Sequence, residues 1–112
     1  MDKVYYIHLT IYFQKEDDNR WTAECIELGS ASFGNSLDEA KESIEEAIEL
    51  KLTGLSEVGE LDRFLKENNV IMFKEFPQEI KQHKIKVQPK LDPNIFEQHQ
   101  FRSLQQYAEA SG

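Results

Sequence analysis

The sequence predicts an α+β fold: a small antiparallel β-sheet of three to four strands packed against one main helix, with a second helix and a C-terminal arm. Three observations predict it. Residues 4–13 alternate in the manner of a strand with one buried face. Gly34-Asn35 leads directly into a helix-capping signal, Ser36 with Glu39. Behind that signal an apolar stripe recurs at helical spacing. The length, 112 residues, suits one modest core plus an appendage.

The first strand is expected over residues 4–13, with Tyr5, Ile7, Leu9, Ile11 and Phe13 toward the core and Val4, Tyr6, His8, Thr10 and Tyr12 on the other face. Residues 14–20 are polar and rich in Asp and Asn, as a loop joining antiparallel strands is. A second strand resumes near Trp21, and residues 30–33 supply a third, so the sheet begins as a meander. Gly34-Asn35, a pair that tolerates positive φ, then redirects the chain into the helix.

Ser36 and Glu39 form an S-x-x-E box whose two side chains each accept a hydrogen bond from unpaired backbone amides at the helix start. Leu37, Ala40, Ile44, Ala47 and Ile48 then form the stripe that covers the sheet, and Gly54 is placed to end the helix. Ser56 is a cap for a second helix reaching Asn68, with Val58, Leu61, Phe64 and Leu65 as its apolar face and Asn68-Asn69 as its stop. Residues 70–76, VIMFKEF, read as a further strand or docking segment that closes a domain over 1–76.

Residues 77–112 form the extension or arm. One weakly alternating piece lies at 83–87, and Asp92-Pro93 opens an expected helix over 93–109, with Phe101, Leu104 and Ala108 as its stripe. Such an arm docks on its own domain, pairs with another subunit, or orders on meeting a partner.

Residues 20–55, RWTAECIELGSASFGNSLDEAKESIEEAIELKLTGL, resemble the HicB-like domain, an antitoxin module of bacterial toxin–antitoxin pairs. The elements that carry the resemblance are residues 24–29 with their Glu-Leu-Gly, the Gly34-Asn35-Ser36 turn, and Asp38-Glu39-Ala40 at the helix start. The resemblance extends over about residues 4–76 and implies a partial RNase H-like fold. It also implies that the chain neutralises a small basic HicA-like mRNA interferase toxin. Many longer HicB proteins add a C-terminal DNA-binding domain, which is not evident here: Arg102 and His99 are the only basic side chains over 94–108.

Composition bears on function independently. Net charge is −8, with an isoelectric point near 4.8, which disfavours nucleic acid and favours a basic protein partner. Neither a membrane span nor a secretory leader is recognised, so a cytoplasmic location is expected. Cys25 alone makes no internal disulfide, and its strand position suits a small core residue. No enzyme is expected: the first strand lacks the carboxylate that RNase H chemistry requires, and His8, His83 and His99 are too far apart for a short metal motif. Gly29, Gly34, Gly54 and Gly59 are scattered singly, so neither a phosphate loop nor a cofactor is expected.

The candidate partner-binding residues are Asp38, Glu42, Glu45 and Glu49, which line one helix flank at i, i+4, i+7 and i+11, and Trp21 as an aromatic anchor. Their bland counterparts are a solvated flank and a core or hairpin-packing tryptophan. The alternative to toxin binding is a homodimeric or homotetrameric structural or ligand-sensing module, because small sheets with open edges often self-pair.

Overall fold

The fold is taken from a computed structural model that describes residues 5–74, 94–104 and 107. It is α+β: β1 (Tyr6–Lys15), β2 (Trp21–Cys25), β3 (Ser30–Gly34), α1 (Leu37–Glu57), α2 (Leu61–Glu67), β4 (Met72–Phe73) and β5 (Ile95–Ser103). The five strands make one antiparallel sheet, and α1 covers one face of it.

β1 is central. Residues 11–15 pair with β2 and residues 6 and 7 with β4, while residues 6–14 pair with β5. Since a strand residue has one neighbour on each edge, β5 occupies the edge opposite to both β2 and β4. Ile7, Leu9, Ile11 and Phe13 are completely buried under α1 together with Ala23 and Cys25, as period-two alternation demands. The even-numbered residues Tyr6, His8, Thr10, Tyr12 and Gln14 face away from the helix.

The capping signal operates as expected. Ser36 Oγ accepts from the Glu39 N–H at 3.1 Å, and the Glu39 carboxylate accepts from the Asn35 N–H at 2.8 Å. From there Ala40, Ile44, Ile48 and Leu52 are buried, with Leu37 and Ala47 packed at the margin.

Three local expectations are corrected. Gly34 does not adopt positive φ; its role is close approach, because an added Cβ would lie 2.6 Å from the Glu39 carbonyl carbon and nearer still to the Ala40 nitrogen. Gly54 does not end α1, which runs on to Glu57 and is capped at Val58, after which Gly59 takes φ +73°. Ser56 is not the cap of α2: it lies buried inside α1, where its hydroxyl donates to the Tyr107 carbonyl at 2.6 Å. The long stripe kept α1 helical past a single glycine, which costs only about 1 kcal/mol. In α2, Leu61 and Leu65 are buried and Phe64 packs at the margin, while Val58, expected on the same face, caps α1 and is exposed. The stop at Asn68-Asn69 holds, with Asn69 at φ +57°.

The largest correction concerns the C-terminal segment. Within the span expected as a helix, 93–109, residues 95–103 instead form β5 and pair with β1 from Gln14↔Ile95 to Tyr6↔Ser103. Without this strand a whole edge of β1 would present unpaired N–H and C=O groups beside the core, a cost that outweighs the local Asp92-Pro93 helix signal. Leu104 and Tyr107 follow β5 into the core. The strand expected at 83–87 lies outside the described residues. Among the described residues no helix is long and apolar enough to cross a membrane.

Candidate interaction surface

α1 presents its stripe to the sheet, so its flank faces outward. On that flank the four expected carboxylates divide into two pairs. Asp38 and Glu42 are exposed, and no cation lies within ion-pair distance of either among the described residues. Glu45 and Glu49 are already engaged. The Arg102 guanidinium, projecting from the helix-facing side of β5, donates to both, at 3.1 Å to Glu49. Gln100 donates to Glu45 at 2.8 Å, and the Tyr107 hydroxyl donates to Glu49 at 2.6 Å.

Electrostatics follow from these contacts. Burial works against the charge of Arg102, but the Glu45 carboxylate and Tyr107 beside it prevail, so its pKa rises above the ordinary value. Tyr107 is raised by burial first and then by its hydrogen bond to Glu49. One guanidinium shared by two carboxylates leaves the flank acidic overall. The sequence reading missed this clamp because its basic member sits on a segment taken for a helix.

Trp21 is half-buried on β2. Its indole packs on the core and meets Phe96 edge-on, with centroids 6.0 Å apart. That is the packing role weighed against the anchor role, and the ring is not part of the acidic flank's hydrogen-bond set.

The sheet face away from α1 holds a second cluster of polar and titratable side chains. Pairing of Thr10 with His99 and of His8 with Phe101 brings the two histidines together: their rings stack 5.0 Å apart, and His8 Nε2 lies 2.8 Å from His99 Nδ1. His99 Nε2 is 2.6 Å from a Glu97 carboxylate oxygen. With Nε2–H donated to Glu97, His99 Nδ1 is left to accept from His8 Nε2–H. Sequence reasoning treated these histidines as distant; only the β1–β5 register reveals them as neighbours. Among the described residues no group of three or more His, Cys, Asp or Glu is arranged to hold a metal ion.

The same face exposes Tyr12, Phe33 and Ile95 to between 43% and 57% of their full area. Arg20 lies over the Phe33 ring, 5.3 Å from its centroid. The Tyr12 phenol is raised by the charge of Glu97 foremost, then by burial and a hydrogen bond to that carboxylate. Beside them an open hollow of about 340 Å³ is lined by Arg20, Thr22, Glu24, Ala31 and Phe33 among others.

The Cys25 thiol is buried and pushed up to about 11, chiefly by desolvation. It is a packing group here, as expected.

Comparison of the chain with family models, curated proteins and solved structures gives no match.

Proposed function

We propose that this chain is a protein-binding module that captures a small basic partner on the acidic flank of α1, without chemistry of its own. The observation that carries the reading is the split flank. Glu45 and Glu49 hold a guanidinium at helical spacing, and the preceding pair, Asp38 and Glu42, repeats i, i+4 spacing without an internal cation among the described residues. Carboxylates four apart on a helix suit a basic side chain, and the net charge of −8 speeds encounter with a positive partner. The resemblance of residues 20–55 to the HicB-like domain supports one identity for that partner, a HicA-like mRNA interferase whose RNA-binding surface would be blocked. The expected residence is the cytoplasm.

The test is a pull-down of the tagged chain from native lysate at low and moderate salt, with mass spectrometry of the retained proteins. The expected result is one small basic protein in stoichiometric amount, lost on Asp38→Lys with Glu42→Lys and weakened by salt. Retention that ignores both variants and salt overturns the acidic-flank reading.

A second reading, self-association, is favoured by a separate observation: Tyr12, Phe33 and Ile95 stand exposed on the face opposite α1.

A further inference from the structure

We propose that the sheet face opposite α1 pairs with the same face of a second copy, about a two-fold axis parallel to the strands and passing between β1 and β2. The argument starts from register. Phe33 pairs with Thr22, Thr22 with Gln14, and Gln14 with Ile95, so these four side chains form one row across four strands. The next row on the same face is Ala31, Glu24, Tyr12 and Glu97. Strands lie about 4.8 Å apart, so Phe33 and Ile95 stand roughly 14 Å from each other at opposite ends of their row.

An axis midway along the rows exchanges their ends. Phe33 of one copy then meets Ile95 of the other, and Thr22 meets Gln14. In the second row Tyr12, whose hydroxyl is bonded to Glu97 of its own chain, meets Glu24 of the other copy, while Ala31 meets Glu97. Arg20, which lies over Phe33 and pairs with Asp18 of its own chain at 3.3 Å, is carried toward Glu97 of the second copy, so opposite charges face each other. The hollow over β2 and β3 falls opposite the protruding Tyr12 and Ile95, which would fill it from the other copy. The perpendicular in-plane axis does none of this, because it sets Ile95 against Glu97 and Tyr12 against Gln14. A second copy is therefore the occupant whose shape and charge this face complements.

Two rows by four strands is a small footprint beside the roughly 800 Å² per partner of a standard interface, so the dimer dissociates on dilution. The proposal does not rest on the acidic-flank reading, since α1 remains outward in the pair.

The test is sedimentation equilibrium of the full chain across a concentration series. The expected result is a reversible monomer–dimer equilibrium. Phe33→Ser should raise its dissociation constant by about tenfold or more. Arg20→Glu and Glu97→Arg should each weaken it, and the double variant Arg20→Glu with Glu97→Arg should restore it. Phe33 and Arg20 are exposed, so circular dichroism should show these variants folded. A chain that stays monomeric throughout, a dimer indifferent to Phe33→Ser, or a charge swap no better than either single change would each overturn the proposal.

Discussion

Glu27 and Thr10 are joined twice: one carboxylate oxygen accepts the Thr10 backbone N–H at 2.6 Å and the other accepts its hydroxyl at 2.9 Å. The position explains the need. β1 pairs with β2 from Ile11 onward and with β4 at Tyr6 and Ile7, so Thr10 sits in the gap on that edge. Its carbonyl accepts the Ile26 N–H at 2.9 Å, and Glu27 takes the N–H that no strand reaches. Leu28 then turns into the core and Gly29, at φ +67°, reverses the chain into β3. The Glu-Leu-Gly element is thus a strand-edge cap, a core plug and a turn in succession.

Glu27→Ala should therefore destabilise the fold by about 1.5–3 kcal/mol, the cost of stranding a partly buried amide that had a charged acceptor. Urea denaturation measures the loss, and amide exchange at Thr10 should accelerate more than exchange at Leu9. Equal stability would show that solvent replaces the carboxylate.

Gly34→Ala should cost about 2 kcal/mol or more, because the new methyl overlaps the backbone at the start of α1 rather than a side chain that could swing away. Gly54→Ala, in an open helical position, should instead stabilise by about 0.5–1 kcal/mol. Thermal melts of the two variants should move in opposite directions.

Arg102 and Glu45 should show a coupling of about 0.5–1 kcal/mol in a double-mutant cycle, since the arginine side chain is mostly buried but the glutamate is half exposed. The coupling should shrink at high salt. Arg102→Ala alone should cost more than the coupling, because it also takes the guanidinium from Glu49 and strips packing from the helix-facing side of β5.

Cys25 should resist thiol reagents at pH 8 in the folded chain and react at once in denaturant. Its proton is retained up to about 11 when folded, whereas an unfolded thiol releases it near pH 8.5–9. The folded state thus binds the extra proton between these values, and stability should fall as pH rises from about 9 to 11. Cys25→Ala should flatten that part of the stability profile.

What could be read in the sequence was whatever local chemistry decides. The alternation of Ile7, Leu9, Ile11 and Phe13 has one satisfactory burial, and Ser36 with Glu39 can cap only a helix beginning there, so β1 and the start of α1 were legible. β5 was not. Along Ile95–Ser103 the helix-facing side carries Phe96, Gln98, Gln100 and Arg102, and the other side Ile95, Glu97, His99, Phe101 and Ser103, so neither face is apolar enough to show a period of two. Its strand state is decided by the vacant edge of β1, which no window of sequence contains. Every feature that depends on β5 was hidden with it: the clamp on Glu45 and Glu49, and the histidine pair. Of the expected site, Asp38 and Glu42 stand exposed on the flank as the spacing suggested, while Glu45 and Glu49 needed the tertiary structure to reveal their partner.

The hydrogen bond between His8 and His99 spans 91 positions. A ribosome must therefore extend the chain through α1, α2 and β4 before the strand that completes β1 exists. During that interval β1 has one backbone edge without its permanent neighbour, and closing so long a loop makes this step slow compared with the β1–β2 hairpin. Nascent chains stalled before residue 95 should consequently need a chaperone to hold that edge, and release from it should coincide with emergence of β5.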